Sequence, residues 1–268
     1  MSMRILYLGD VMGEVGIEVV EKLLPALRKQ EKIDVVIAQA ENVSDGKGMN
    51  VADYQRLQKA GVDGFTGGNH TIANPEAFGL LKDPNVAVTG PANIPDCPGP
   101  GFKFVPSPKG KVLIVSLLGK IVGRDAEKAL ENPLQTVDEI LARENPDKMF
   151  AVVVNLHGDF SSEKVVIGHY LDGRASVVVG DHWHVPTADA QVLPGGTAHQ
   201  TDAGMCGALD SSLGVTYDSI IPRWRDGKPT RNILETSGRR QFNALLVDID
   251  DETKLATTAV AIQKIYEP

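Results

Sequence analysis

The amino-acid sequence predicts one mixed α/β domain over residues 1–268, with two packed sheets. Two observations carry this expectation. Through the first half, apolar runs of strand length alternate with amphipathic stretches, the order expected of parallel strands joined by right-handed crossovers. After residue 180 the pattern changes to short segments of alternating polarity, ending in Ala244–Ile249 and Leu255–Ile265. These last two read as antiparallel edge strands. No internal repeat, low-complexity stretch or charge block marks a boundary.

Taken in order, Ile5–Leu8 is a buried strand. Glu18–Lys29 is a helix whose apolar face carries Val19, Val20, Leu23, Leu24 and Leu27. Val35–Ala40 is the next strand, and Ala52–Ala60 a short helix stopped by Gly61. A brief strand, Gly64–Thr66, and a helix, Pro75–Lys82, follow. Pro84, Pro91, Pro95, Pro98, Pro100, Pro106 and Pro108 predict an irregular surface excursion. Strands resume in Val112–Leu117. Leu134–Ala142 is helical, Ala151–Leu156 a buried strand, and Ser161–Leu171 a helix with Ser161 as N-cap and Glu163 in its first turn. Ala175–Gly180 closes the regular part.

Composition narrows the function. A chain of 268 residues can bury a large core without staples. Its two cysteines, Cys97 and Cys206, form no Cys-x-x-Cys pair, so a reduced, cytoplasmic protein is expected. Met1-Ser2-Met3-Arg4 runs directly into the first strand, without an apolar signal region. No apolar stretch approaches the roughly 20 residues of a membrane span. A net charge of −8 opposes a grip on long nucleic acid. A small phosphate ligand remains compatible if a metal supplies positive charge.

Of the six histidines, four fall just beyond predicted strand ends: His70, His157, His182 and His184. Asp10 and Glu41-Asn42 do the same, and open α/β sheets place their sites there. Asp10 alone would serve as a turn or capping residue. Glu41 has no capping advantage over Asp or Ser, so a ligand role and a bland one stand level. Gly67-Gly68-Asn69-His70 puts an amide and an imidazole on a glycine turn that allows close backbone approach. In His182-Trp183-His184, an extended backbone would turn both imidazoles to one side. Each could then hold one ion of a pair about 3.5–4 Å apart. Trp183 between them would lie along a cleft rim, stacking a base, or be buried as core. His169 and His199 read as structural.

The ordered set Gly9-Asp10, Glu41-Asn42, Gly68-Asn69-His70, His157 and His182-x-His184 resembles the calcineurin-like metallophosphoesterases. Within them it is similar to the compact bacterial branch of 2′,3′-cyclic-nucleotide phosphodiesterases. The similarity runs from the first strand to about Gly207, with added detail in Ser162-Glu163-Lys164, His184–Asp189 and Leu193–Thr197. The resemblance implies a four-layer α/β/β/α sandwich with two mixed sheets around a dinuclear metal site. One metal would take Asp10, Glu41, Asn42 and His184, and the other Glu41, Asn69, His157 and His182. Glu41 would bridge them, and His70 would be the general acid. Val11-Met12 stands where the wider superfamily has the rest of Asp-x-His, and Asn42 replaces that ligand. Glu41 stands for the usual bridging Asp, Asp181 and Trp183 for a Thr-rich surround, and Asp159 for an expected Glu.

The implied chemistry is coherent. Two divalent ions outweigh the two anionic ligands, Asp10 and Glu41, and would attract a phosphate. Metal binding lowers the pKa of bound water, making hydroxide available for in-line attack at phosphorus while charge on the phosphoryl oxygens is stabilised. An imidazole with pKa near 6.5 suits His70 to protonate the leaving ribose oxygen. Mixed nitrogen and oxygen donors favour iron or manganese over calcium or magnesium, with zinc also compatible. The expected substrate is a 2′,3′-cyclic nucleotide, a 3′,5′-cyclic one or a similar small phosphodiester. The alternatives are a phosphomonoesterase using the same metals and a metal-holding regulatory protein acting through a partner; self-association stays open. A dehydrogenase is excluded because no Gly-x-Gly-x-x-Gly follows the first strand. A serine hydrolase is excluded because there is no Gly-x-Ser-x-Gly elbow.

Overall fold

The computed structural model describes residues 2–123, 126 and 129–268; Met1 and residues 124, 125, 127 and 128 lie outside the description. The first sheet is built on β1 (Ser2–Leu8), which pairs parallel with β3 (Val35–Gln39), itself parallel to β4 (Gly64–Thr66). On the other side of β1 lies β12 (Arg240–Asp250), antiparallel to it and to β13 (Ala256–Tyr266). β11 (Met205–Ala208) extends this sheet along the start of β12 and carries the short β2 (Asp10–Val11), giving seven strands. The second sheet has six, in the order β5 (Phe102–Ser107), β6 (Gly110–Leu118), β7 (Ala151–His157), β8 (Val177–Asp181), β10 (Ala198–Gln200) and β9 (Gln191–Val192). Both sheets are mixed.

Side-chain alternation along β1 shows how the layers stack, since successive residues face opposite sides of a sheet. Met3, Ile5 and Tyr7 enter the core between the sheets, with Val35, Ile37, Ile114, Val153, Val177 and Val247. Leu6 and Leu8 face the other way, into a core shared with α1 (Gly13–Gln30), α2 (Val51–Ala60) and α3 (Ala77–Lys82). The outer face of the second sheet is covered by α4 (Pro133–Glu144) and α5 (Ser161–Tyr170), through Val137, Ile140, Leu141 and Ile167. The four layers are therefore helix, sheet, sheet, helix, as expected. No helix among the described residues is long and apolar enough to cross a membrane.

Several expectations need correction. The proline-rich excursion ends in a strand: β5 pairs antiparallel with β6 as the sheet edge, where Pro106 is tolerated because an edge strand has a free side. Ala244–Ile249 is not an edge, because β12 has neighbours on both flanks, and only β13 is outermost. Helix α1 begins at Gly13, ahead of Glu18, because Val15 and Ile17 also bury against the sheet. Ser161 is the first helical residue; the capping position falls on Phe160, which makes no side-chain cap. Helix α6 (Tyr217–Asp226) was not foreseen. By contrast, Gly61 ends α2 in a left-handed conformation, φ 109°.

Candidate metal centre

β1, β3 and β4 of the first sheet and β7 and β8 of the second bring their C-terminal ends to one place, so every predicted ligand converges there. The deep side is built around His157, the last residue of β7 and fully buried. Its Nε2 lies 3.0 Å from Asn69 Oδ1, 3.1 Å from Glu41 Oε1 and 2.9 Å from His182 Nδ1. Its Nδ1 lies 2.6 Å from Asp181 Oδ1. Asp181 is in turn held by the Tyr7 hydroxyl at 2.8 Å, by the Gln39 amide at 3.2 Å and by the Asn155 amide. With so many donors on it, Asp181 acts as the group that orients His157, the role carboxylates commonly play behind ligand histidines.

The open side is shallower. Asn42 Nδ2 sits 3.1 Å from Asp10 Oδ1, 3.1 Å from Glu41 Oε1 and 3.3 Å from His184 Nε2. Asn42 Oδ1 faces His70 Nδ1 at 2.8 Å, and the His70 backbone N–H donates to Glu41 Oε2 at 2.8 Å. The His70 side chain is partly exposed and lines a cleft of about 780 Å³. Gly68 makes the arrangement sterically feasible. A Cβ there would lie 2.3 Å from Glu41 Oε2 and 2.5 Å from the His157 ring, so no other residue fits.

Each of the three buried or half-buried imidazoles has one nitrogen tied to an oxygen outside the cluster. His157 uses Nδ1 for Asp181, His182 uses Nε2 for Asp159 Oδ1 at 3.2 Å, and His184 uses Nδ1 for the Leu213 carbonyl at 3.1 Å. The remaining nitrogen of each turns inward. The backbone that achieves this is not the extended one expected: His182 has φ 106° and His184 φ 62°. Both histidines still reach the cluster, but through left-handed residues on a tight turn rather than through strand alternation.

The charges of two of the three imidazoles agree with a cation site; burial lowers His157 as well, but Glu41 and Asp181 outweigh it and push that imidazole well above its usual range. Burial holds the His182 and His184 imidazoles down at about 4, aided at His182 by the neighbouring His157, so both are neutral near pH 7. Neutral imidazoles are what metal ligation requires. Burial, then Asp181, pushes Asp10 well above the usual carboxylate range. Burial also raises Glu41, but His157 and His70 outweigh it and hold that carboxyl well below its range. Atoms of Glu41, His157 and His182 lie within 4.8 Å of one another, as do those of Asp10, His157 and Asp181.

Trp183 does not line the cleft beside His70. Its indole N–H donates to the Asp159 carbonyl at 3.1 Å, and the buried Lys164 ammonium lies 4.0 Å from the ring centroid. Lys164 pairs with Asp202 at 2.9 Å, and Asp202 Oδ2 also accepts the Trp183 backbone N–H. His199 stays apart, with Nδ1 on the Val178 carbonyl. The supporting roles of Tyr7, Gln39, Asn155 and Asp181 escaped the reading of the sequence. Their signal was present as polar side chains in or at the end of apolar strands, where burial demands a partner.

Two mixed sheets between helical layers, with carboxylate, amide and imidazole donors at their shared end, make the architecture of a metallophosphoesterase. Comparison with known proteins narrows this. The YmdB-like protein family matches residues 6–264, and this chain belongs to it. It is 37% identical over 265 residues to the 2′,3′-cyclic-nucleotide 2′-phosphodiesterase of Bacillus subtilis strain 168, covering 98% of this chain and 96% of that one. The crystal structure of a hypothetical protein from Thermus thermophilus is 36% identical, covers 99% of this chain and 100% of its own, and superposes with a TM-score of 0.89. That of a novel phosphatase from Mycoplasma pneumoniae is 27% identical, covers 100% and 95%, and has a TM-score of 0.90.

Proposed function

We propose that this chain is a metal-dependent phosphodiesterase that opens 2′,3′-cyclic nucleotides, holding two divalent ions of which iron or manganese fit the donors best, with zinc compatible. The observation that carries the reading is the set of three imidazoles, each pinned through one nitrogen and turned inward through the other. Asp10, Glu41, Asn42 and His184 form one donor set, and Glu41, Asn69, His157 and His182 the other. Glu41 Oε1 faces both, at 3.1 Å from the Asn42 amide and from His157 Nε2. Turning over the Asn42 amide, whose nitrogen and oxygen are nearly isosteric, presents its oxygen to the first set. When bound, the ions supply positive charge for a phosphate and acidify water.

The chain's own part in the reaction falls to His70. Hydrolysis adds water to phosphorus and breaks the bond to the ribose 2′ oxygen, leaving a 3′-monophosphate. The departing oxygen needs a proton, and the His70 ring stands at the cleft with its backbone fixed by Glu41. The name of the Bacillus subtilis relative supports this substrate. The Mycoplasma pneumoniae relative is named a phosphatase, which keeps monoesters as the second reading. The free thiols of Cys97 and Cys206 support a reducing, cytoplasmic setting. Purified with manganese or iron, the chain should convert 2′,3′-cyclic AMP to 3′-AMP faster than it hydrolyses 3′,5′-cyclic AMP or p-nitrophenyl phosphate. Cleavage of monoesters with cyclic diesters spared would overturn the assignment.

A further inference from the structure

The cleft at His70 is strongly cationic in a chain whose acidic residues outnumber its basic ones, 35 to 27. Lys47, Arg223, Lys228 and Arg231 line it, against Asp45 as the single carboxylate among the described residues of its walls. The two walls have different origins. Lys47 belongs to the turn that also carries Glu41 and Asn42, closed by the Lys47 N–H on the Ser44 carbonyl and by Gly48 on the Glu41 carbonyl. The opposite wall is the segment 227–234. It is held to the segment 213–216 by the Thr216 N–H on the Ile233 carbonyl and by a bridge between Val215 and Leu234. That segment supplies the carbonyl of Leu213 that orients His184. Both cationic walls are thus attached to the candidate metal centre itself.

The charges are also available. Among the described residues Arg223 donates to neutral oxygens, the Thr230 carbonyl and Asn232 Oδ1, so it shapes the wall without losing its charge to a carboxylate. No ion pair among the described residues engages Lys47 or Arg231, and both are exposed, while Lys228 is also exposed and lies 3.9 Å from Asp226. Between them the floor is apolar, made by Met12, Val215 and Leu234. At about 780 Å³ the cleft lies toward the large end of small-ligand sites, which run from roughly 300 to 1,000 Å³.

Resting on the function proposed above, we infer that the cleft receives the phosphates that precede a terminal nucleotide. The preferred substrate is then a short oligoribonucleotide ending in a 2′,3′-cyclic phosphate, with Lys47, Lys228 and Arg231 on its backbone phosphates. The reaction is the same hydrolysis: water is consumed, the bond from phosphorus to the 2′ oxygen breaks, and a 3′-phosphorylated end remains. A single cleft, rather than a long basic face, confines the grip to the last few nucleotides. This is consistent with a net charge that disfavours long nucleic acid.

The test compares adenosine 2′,3′-cyclic phosphate with a triadenylate ending in the same group, on manganese-loaded protein. We expect kcat/KM for the trinucleotide to be higher by about tenfold, the effect of one charge-assisted hydrogen bond. The double substitution Lys47→Ala, Arg231→Ala should bring that ratio toward one, and roughly 0.3 M salt should do the same to the native chain. Equal kcat/KM on the two substrates, or a preference that the double substitution leaves intact, would overturn the inference. Direct binding of a triadenylate with a 3′-phosphate, against 3′-AMP, separates this from the parent reading. Tighter trinucleotide binding that depends on Lys47 and Arg231, without hydrolysis of any cyclic phosphate, defeats the function and keeps the cleft assignment. Hydrolysis of the mononucleotide with no tighter trinucleotide binding does the reverse.

Discussion

The two halves of the metal centre are built differently. Behind His157 stand Tyr7, Gln39, Asn155 and Asp181, all fully buried on strands of both sheets, with the first three each donating to Asp181. Behind Asn42, His184 and His70 stand turns, the Leu213 carbonyl and a cleft open to solvent. The deep half is over-determined, since removing one partner leaves others in place within a rigid sheet. On the function proposed, the open half is where substrate would enter and a proton would be delivered, and its parts are held by turns rather than by sheet strands. Rigidity and access have been assigned to opposite sides of one carboxylate, Glu41.

The largest effect tests that carboxylate. Glu41→Ala should empty both donor sets and abolish cyclic-nucleotide hydrolysis, whereas Asn69→Ala should deplete the deep set more than the open one. Elemental analysis of the purified variants decides. Metal content unchanged in Glu41→Ala would end the idea of a shared ligand. Next comes His70→Ala, expected to keep both metals and lose roughly 10²–10⁴-fold on 2′,3′-cyclic AMP. An activated p-nitrophenyl diester, whose leaving group needs no proton, should lose much less. Equal losses on the two substrates would make His70 a phosphate-positioning residue.

The supporting carboxylates sharpen the contrast further. Asp181→Asn should weaken metal affinity by about 10–100-fold, the usual cost of an orienting partner. Asp159→Asn, behind the more exposed His182, should cost less; the reverse order in metal titrations would erase the distinction between the halves. A pH series on chelator-stripped protein probes the same histidines. His182 and His184 sit at about 4 in the folded chain and near 6.5 when unfolded. Between those values the unfolded state binds more protons, so their contribution to stability falls as pH drops from about 6.5 to about 4. Asp202, raised to about 6 chiefly by burial, works in the opposite sense from about 4 to 6. His184→Asn should therefore flatten the acid-side loss measured by urea unfolding at pH 7 and pH 5, and a steeper loss would contradict the assignment. The smallest effect is expected at Trp183→Ala, with KM for nucleotide within about twofold of the native value. A KM rise of about tenfold, as loss of a stacked base would give, with full metal content would restore its stacking role.

The candidate ligands were legible because each ends an apolar run, and such ends coincide at one edge of a parallel arrangement. Their supports were not, because Tyr7, Gln39 and Asn155 sit inside strands and look like tolerated interruptions of the core. Only Asp181 gives them a purpose, from across the sheet interface for Tyr7 and Gln39 and from the neighbouring strand for Asn155, and sequence spacing does not reveal it. For the same reason the four layers could be anticipated while the place of β12 could not. Its apolar alternation fits an edge or an interior strand, and the choice depends on β1 and β13 flanking it.

The left-handed conformations of His182 and His184 have a consequence for where this chain is strained. Side chains with a Cβ rarely occupy that region, and each such residue costs of order 1–3 kcal/mol unless its surroundings impose it. Glycine or asparagine would occupy it more readily. His184→Gly would relieve the backbone at the expense of the imidazole that faces Asn42. Two such residues so close together make the position of these rings a local cost in stability that the surrounding fold must offset.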